Sequence, residues 1–380
     1  MFNFSLSEEH QAIQMAVRDF AQTILLPEVI ERDEKQLFGS ELIKKMDELG
    51  LFGISGDPKY GGSGMDTISY TLAIIELSKV DASAGVIMSA HNSLFCWGID
   101  KYGTDYQKET FLQPMYTGQG LGAFALSEPE AGSDATAQRT TAIFKGDHYL
   151  LNGTKNWITN GGTSSYVLVF AQTNPELKHK GIECFIVDKK SEGFDISPKE
   201  NKMGIRASDT HSLLFNDVRV PIENKIGNGE FGFKLAMKIL DGGRIGIAAQ
   251  AIGIAEGAYD LSLQYSKERE SFGKPIARHQ AIQFKLAQMA TDIEMSKLLL
   301  YKAAYLKDQG KPYTKEAAMV KYYAAEMAMK ATTEAVQIHG GYGYVKEYHV
   351  ERMMRDAKIT QIYEGTSEIQ QLVIARELLK

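Results

Sequence analysis

The spacing of apolar residues divides the chain into three stretches, and the first of them is helical. Apolar positions recur every third or fourth residue, which predicts amphipathic helices. Ser5 or Ser7 can cap the first helix, and Thr104 with Gln107 has capping-box spacing before the last. The five predicted helices cover residues 8–25, 41–49, 68–80, 83–102 and 106–116. Residues 1–120 are therefore predicted to form an N-terminal helical domain.

In the second stretch, residues 121–229, the apolar period shifts towards two, which is typical of strands. The strand-like segments read HYLLNGTKNWIT, YVLVFAQT, IECFIVD and SLLFNDVRV. The Asn152-Gly153 pair inside the first segment is a hairpin signal, so we predict a turn there. The middle domain is expected to be an antiparallel, barrel-like β unit.

The third stretch, residues 230–380, returns to the helical period. Long helices are predicted over residues 231–268, 279–309 and 315–339, with a short one after Ser367. This domain should resemble a four-helix bundle, and the fold class is α+β. Strands inserted between two helical blocks do not alternate as βαβ units, so a doubly wound nucleotide fold is disfavoured.

One motif conflicts with that fold class. Residues 227–232 match the GxGxxG pattern of dinucleotide-binding folds. Pro221 interrupts the approach and no second strand follows the next helix, so the required strand-helix-strand context is missing. We interpret the segment as a loop leading into a helix.

Composition narrows the class of partner. The formal net charge is -6 with no long basic run, which argues against nucleic acid. The two cysteines, Cys96 and Cys184, lack CxxC spacing, so neither a metal site nor a disulfide framework is expected. No apolar run of about 18 residues occurs, and residues 1–20 resemble no targeting segment. A cytoplasmic protein without a membrane span is expected.

Three segments carry candidate chemistry. Residues 124–134 (FALSEPEAGSD) can present hydroxyls and backbone N–H groups to an oxygen-rich ligand, although a well-capped connector would look the same. Residues 156–162 (NWITNGG) place an aromatic face beside a glycine pair, which suits a flat ligand or an ordinary core strand. Residues 362–370 (IYEGTSEIQ) contain Glu364.

Glu364 is predicted to lie in a loop just before a helix. Ser367 and Gln370 have capping-box spacing, which would begin that helix, and Ile362 and Gly365 flank the acid. A carboxylate in an apolar pocket becomes a better base near neutral pH. The alternative is a solvated loop glutamate, which residue type alone favours.

Together these segments resemble the acyl-CoA dehydrogenase family. SEPEAGSD, NWITNGG, RESFGK, AVQIHGGYGY and RDAKITQIYEGTSEIQ stand in the order and spacing of that family and span essentially the whole chain. LDGGRIGIAAQAIGIAEGAYD and YKAAYLKDQGKPYTKEAA are most similar to the short-chain, butyryl-CoA type.

The resemblance implies FAD as cofactor, bound between the β domain and the last helical domain. One group of residues would line the flavin and the pyrophosphate: Phe124, Leu126, Ser127, Ser133, Trp157, Ile158 and Thr159. A second group would clamp the pyrophosphate and adenosine across a dimer contact: Arg269, Ser271, Phe272, Gln280, Gln337, Gly340 and Gly341. Thr366 and Glu368 would lie beside the adenosine end.

The resemblance also implies the reaction. Glu364 would remove the proton α to an acyl-CoA thioester, the β hydrogen would leave as hydride to the flavin, and electrons would pass to an electron-transfer flavoprotein. The residues implied to meet the substrate are Ser133, Asp241, Gly242, Gly243, Arg244, Gly365 and Arg376. A branch of the family carries its base on the helix near Leu240, where this chain has no acid. A homotetramer built as a dimer of dimers is implied.

Two alternatives remain open from the sequence. The chain could be an acyl-CoA oxidase that uses O2, although oxidases of the family are usually longer. It could also be a catalytically silent flavin-binding scaffold, whose signature would be loss of the base or of the cofactor contacts. Glu364, Thr159 and Arg269 are all present.

Overall fold

The computed structural model describes residues 5–227 and 229–380. The N-terminal part is helical, as predicted, and Ser7 rather than Ser5 caps the first helix by accepting a hydrogen bond from the His10 backbone N–H at 3.1 Å. The helices are α1 (Glu8–Phe20), α2 (Val29–Lys35), α3 (Ser40–Glu48), α4 (Thr67–Ser78), α5 (Ala82–Ser89), α6 (Trp97–Tyr102), α7 (Asp105–Gln107) and α8 (Gln113–Tyr116).

Three of the five predicted helices contain a π-helical turn, at Ala21–Leu25, Ala90–Cys96 and Lys108–Leu112. Such a turn changes the hydrogen-bonding pattern without ending the helical path, so apolar spacing cannot reveal it. The capping box at Thr104 and Gln107 is confirmed, because each side chain bonds the other residue's backbone N–H.

The middle part is a sheet of eight strands: β1 (Leu121–Ala125), β2 (Thr141–Phe144), β3 (His148–Thr159), β4 (Ser164–Gln172), β5 (Ile182–Asp188), β6 (Phe194–Ile196), β7 (Thr210–Pro221) and β8 (Lys225–Ile226). The strand order is β6-β7-β3-β2-β4-β5-β8, and β1 pairs with β4. Most neighbours are antiparallel, but β1 is parallel to β4, so the sheet is mixed.

The predicted hairpin turn at Asn152-Gly153 is wrong, because both residues lie inside β3. A register shift against β7 falls there, and the Asn152 side chain bonds Asp217 on that neighbouring strand at 2.9 Å. Gly153 has a φ of 142°, and a Cβ would lie 2.7 Å from the Thr140 Cα. The pair therefore forms a bulge, which uses the same residue types as a turn. The β2–β3 turn is at Gly146, with a φ of 97°.

The C-terminal part comprises α9 (Gly232–Glu268), a small hairpin of β9 (Glu270–Ser271) and β10 (Lys274–Pro275), α10 (Gln280–Asp308), α11 (Thr314–His339), α12 (His349–Thr360) and α13 (Ser367–Leu378). The predicted long helices are confirmed. Helix α12 was not predicted, because its segment HVERMMRDAKIT is rich in charge, yet Val350, Met353 and Ala357 are buried. No described helix is both long and apolar enough to cross a membrane.

Helix α9 has 37 residues, about 55 Å at 1.5 Å per residue, and organises the molecule. Its Ile245, Ile252 and Ala255 belong to a core shared with α4, α5 and α11, while Leu235 and Ile239 pack against β4 and β5. The GxGxxG segment leads into this helix from the two-residue strand β8; Asn228 in it lies outside the described residues. It forms no strand-helix-strand unit.

Candidate active site

The site is built around the turn between α12 and α13. Glu364 and Gly365 both have left-handed backbones, with φ values of 51° and 89°. A Cβ at residue 365 would lie 2.6 Å from the Gln370 Nε2, so glycine satisfies both the conformation and the close approach. A left-handed glutamate costs of order 1–3 kcal/mol, and such strain is concentrated at functional sites.

The predicted capping box of Ser367 and Gln370 is wrong. Thr366 is the N-cap of α13, accepting a hydrogen bond from the Ile369 N–H at 3.4 Å. Ser367 is the first helical residue, and its hydroxyl donates to Glu326 at 2.6 Å. The sequence TSEIQ offers two adjacent hydroxyls as caps, and the packing against α11 decides between them.

Two buried side chains hold the carbonyls of this turn. Gln370 Nε2 donates to the Glu364 carbonyl at 3.0 Å and to the Gly365 carbonyl at 2.9 Å. Lys321 Nζ, from α11, donates to the Gly365 carbonyl at 2.7 Å. Both Gln370 and Lys321 are fully buried. The turn is therefore anchored from its own helix and from a neighbouring one.

The Glu364 carboxylate points inward to α9. Its Oε2 is buried and has no hydrogen-bond partner among the described residues. A Cβ on Gly243 would overlap this oxygen and would lie 2.7 Å from the Leu94 Cδ2. Gly243 therefore provides the space that the carboxylate occupies, at the part of α9 where another branch of the resembled family carries its base.

Burial raises the pKa of Glu364 from 4.5 to about 7, against the opposing effects of the Lys321 and Arg244 charges. The alternative of a solvated loop glutamate is wrong, because the residue is half-buried and Oε2 is buried. An unpaired carboxylate with a pKa near neutrality can accept a proton from a carbon acid held beside it.

The neighbouring charges belong to the LDGGR segment of α9. Arg244 is 5% exposed and pairs with Asp241 one turn earlier. Asp241 also accepts a hydrogen bond from Thr314 at 2.6 Å, and burial raises its pKa. A Cβ added to Gly242 would meet its nearest atom, Lys307 Nζ, at an ordinary 3.7 Å. Arg376 is exposed on α13, and its charge acts on Asp241 and Arg244.

The segment after β1 is held by a buried ion pair. Lys155 on β3 is 0% exposed and donates to Glu128 at 2.8 Å and to the Leu126 carbonyl at 3.1 Å. Glu128 also accepts the Thr140 N–H at 3.0 Å. In the loop that this pair holds, Ser127 is half-buried and Ser133 is exposed, and Phe124 at the end of β1 is half-buried as well.

Comparison with known proteins assigns the fold. The chain matches the models of the acyl-CoA dehydrogenase N-terminal domain (residues 7–119), middle domain (123–218) and C-terminal domain (230–379). The chain belongs to the acyl-CoA dehydrogenase family. It is therefore a flavoprotein oxidoreductase with FAD as its cofactor.

Individual members of the family are similar along their full length. The short-chain specific acyl-CoA dehydrogenase of Clostridium acetobutylicum is 50% identical over 378 residues, covering 100% of both chains. The butyryl-CoA dehydrogenase structure from Megasphaera elsdenii has a TM-score of 0.98 at 49% identity, with 100% of both chains covered. A chain solved in work on the electron transferring flavoprotein of Acidaminococcus fermentans and electron bifurcation has a TM-score of 0.98 at 50% identity, again with 100% of both covered.

The residues around Trp157 fit the isoalloxazine ring that this family needs. Trp157 is 60% exposed and has a left-handed φ of 62°, so its ring stands outside the core. Thr159, two residues along β3, is half-buried, and Ile158 between them is buried. At the tip of the β1 loop, a Cβ on Gly132 would meet nothing within 4 Å, which leaves the backbone open to phosphate oxygens.

A second group of predicted cofactor residues lies at the C-terminal end of α9, and we call it the distal cluster: Arg269, Ser271, Phe272, Gln280, Gln337, Gly340 and Gly341. The Arg269 guanidinium lies 5.5 Å from the centroid of the Tyr342 ring, beside the two glycines. Phe272 is 94% exposed and has a φ of 53°. Arg269, Gln280 and Gln337 are exposed as well. The structure thus brings together segments that are about 70 residues apart in sequence.

The distal cluster cannot serve the Glu364 site of its own chain. Gly243 and Arg269 are 26 positions apart on α9, which corresponds to about 39 Å along the helix. Arg269 lies just beyond the last helical residue, and its side chain cannot span that distance. Thr366 and Glu368, by contrast, lie next to Glu364, with Thr366 half-buried and Glu368 exposed.

Sequence reasoning missed the residues that hold the site in place. Lys321 and the Lys155–Glu128 pair were not identified, and Gln370 was predicted only as a capping residue. Lys321 did carry a signal, because it is a single lysine in the apolar segment AAMVKYYAA. A charge at a core position of a helix is rare unless it has a partner.

Proposed function

We propose that this chain oxidises short-chain acyl-CoA thioesters such as butyryl-CoA to trans-2-enoyl-CoA, with Glu364 as the base. The observation that carries the proposal is the Glu364 Oε2 atom beside Gly243, which is buried and has no hydrogen-bond partner among the described residues. The short-chain substrate is supported by two relatives that match along the full chain. One is named as short-chain specific and is 50% identical, and the other is named a butyryl-CoA dehydrogenase and is 49% identical.

In this mechanism the protein supplies a base, a site that excludes water and the positioning of the substrate. Glu364 removes the proton α to the thioester carbonyl, and its raised pKa makes it a stronger base than an ordinary glutamate. Gln370 and Lys321 hold its turn, so that the carboxylate and the Glu364 N–H keep a defined relation to the substrate. The bound FAD supplies the acceptor for the β hydrogen.

The proposed cofactor contacts divide between two copies of the chain. Phe124, Leu126, Ser127, Ser133, Trp157, Ile158 and Thr159 would hold the flavin and the nearer phosphate, with Thr366 and Glu368 beside the adenosine. The distal cluster of a second copy would provide Arg269 and its neighbours, since it lies about 39 Å along α9 from the base of its own chain. Substrate would meet Ser133, Asp241, Gly242, Gly243, Arg244, Gly365 and Arg376.

The remaining parts of the proposal concern partners and location. A homotetramer built as a dimer of dimers would pair the two half-sites. An electron-transfer flavoprotein is the proposed acceptor, supported by the near-identical fold of a chain solved in work on such a flavoprotein. A cytoplasmic location, as expected from the sequence, completes the proposal.

The test is to add butyryl-CoA, isobutyryl-CoA and octanoyl-CoA separately to the purified yellow protein without air. We expect rapid bleaching of the flavin spectrum, strongest with butyryl-CoA. Bound FAD that no thioester bleaches would instead indicate a scaffold. Steady hydrogen peroxide formation in air would identify an oxidase, and light scattering that shows a monomer would refute the tetramer.

A further inference from the structure

Lys321 is a buried cation that the proposed mechanism uses only as an anchor. It lies on α11 among Ala317, Ala318 and Ala324, all of them fully buried, and is itself 0% exposed. An ammonium has three N–H donors, but its one hydrogen bond within the described part of the chain goes to the Gly365 carbonyl, a neutral group. Burial lowers the pKa of Lys321 to about 8.

Fold stability does not explain this lysine. Taking an ammonium out of water costs several kcal/mol, and apolar residues of similar volume often replace buried charges with no loss of stability. A methionine, which is apolar and flexible, would avoid that cost.

The need to hold the turn in position does not fully explain Lys321 either. Gln370 already donates to the Gly365 carbonyl at 2.9 Å and to the Glu364 carbonyl at 3.0 Å. The hydrogen bond from Lys321 to the same Gly365 carbonyl therefore duplicates an existing contact. What Lys321 adds, and Gln370 cannot, is a positive charge beside the base.

The groups around the Glu364 carboxylate show where that charge acts. The positive charges of Lys321 on α11 and Arg244 on α9 both oppose the rise in the pKa of Glu364. Tyr70 on α4 and Tyr363 in the turn also interact with the carboxylate, but burial raises the pKa of both phenols, which keeps them neutral. Arg244 is already paired with Asp241. Lys321 has no salt-bridge partner in the described part of the chain, although Glu326 and Glu368 act on it from a greater distance.

We propose that Lys321 is a positioning residue for the reaction, whose buried ammonium favours the ionised form of the Glu364 carboxylate while holding its turn. This inference rests on the proposed role of Glu364 as base. Burial disfavours the ionised form of the carboxylate, and the Lys321 charge opposes that effect. Lys321 thus lowers the pKa of Glu364 far enough that more of the base is ionised, while burial keeps that pKa above its ordinary value.

The test compares three variants of the FAD-loaded enzyme. Lys321→Met removes the charge and the donor, and Lys321→Gln removes the charge but keeps an N–H. The control is Lys302→Met on α10, whose side chain is 61% exposed. Flavin content and melting temperature establish that each variant is folded. The main readout is the pH profile of kcat/KM for butyryl-CoA, with exchange of the substrate α hydrogen in D2O as a second one.

Without the Lys321 charge, the pKa of Glu364 should rise, so that less of the base is ionised at a given pH. We expect both Lys321 variants to shift the rising limb of the profile upward by about one pH unit, which lowers kcat/KM about tenfold at pH 6 and little at pH 9. Hydrogen exchange should follow the same shift, and Lys302→Met should leave both unchanged.

An unshifted limb in both Lys321 variants would overturn the inference, even if the rate fell uniformly, because a purely structural loss acts equally at every pH. That outcome differs from failure of the proposed function. There, the unaltered enzyme itself would show neither bleaching nor exchange with any thioester.

Discussion

Two parts of α9, around Gly243 and at its C-terminal end, present opposite kinds of surface. Around Gly243 the helix is buried on all sides, and the Glu364 carboxylate fills the space that the glycine leaves. Around Arg269 the helix end is exposed, and Phe272 is 94% exposed with a left-handed backbone. The Glu364 site is therefore enclosed within one chain, whereas the distal cluster is open to solvent.

The largest effect should come from removing the base. Glu364→Gln keeps the shape of the side chain but cannot accept the proton, and loss of a general base costs about 10²- to 10⁴-fold. We expect kcat with butyryl-CoA to fall by at least that much while flavin absorbance is retained. The exposed Glu347→Gln serves as control. Turnover that persists in Glu364→Gln would place the base elsewhere.

A substitution at Gly243 tests the position of the Glu364 carboxylate. Gly243→Ala would place a methyl group on Glu364 Oε2, whereas the methyl group of Gly39→Ala, the control before α3, would meet nothing within 4 Å. Because small displacements of a reacting group can cost about 100-fold, kcat should fall by about that factor for Gly243→Ala. Stopped-flow flavin reduction measures it. Equal losses in the two variants would contradict the assigned position of the carboxylate.

Variants of the distal cluster should weaken the binding of FAD without changing the rate of the reaction. A hydrogen bond to a charged group contributes about 1.5–3 kcal/mol, so Arg269→Met should weaken FAD binding about 10- to 100-fold. The affinity is measured from the fluorescence of the FAD that is released on dilution. The enzyme that still holds FAD should keep its kcat. The exposed Arg278→Met is the control. Unchanged affinity would separate the distal cluster from the cofactor.

The smallest effect is the pH response of the unaltered enzyme. The pKa of Glu364 is raised from 4.5 to about 7, so the base is mostly protonated below neutrality and mostly ionised above it. Accordingly kcat/KM should rise with pH through about 7 and level off above 8. It should be about tenfold lower at pH 6 than on the plateau, as expected for a single ionisation. A flat profile between pH 5 and 8 would contradict the burial of Glu364.

The sequence predicted the elements well where apolar spacing is unambiguous. The long helices α9, α10 and α11 agree with prediction within one or two residues, because each carries a sustained apolar pattern. The predictions were wrong where residue type alone cannot choose between two structures. Asn152-Gly153 suits a bulge as well as a turn, and both Thr366 and Ser367 are able to cap α13.

The properties of the candidate site also divide into those that the sequence predicted and those that it did not. The order of the motifs identified the family, the cofactor and the loop that holds Glu364, because those properties depend on local residue types at fixed spacing. The burial of the carboxylate, its contact with Gly243 and the approach of Lys321 bring together residues from α9, α11 and the α12–α13 turn. Only the tertiary structure decided these, because a raised pKa arises from desolvation and from charges that are distant in sequence.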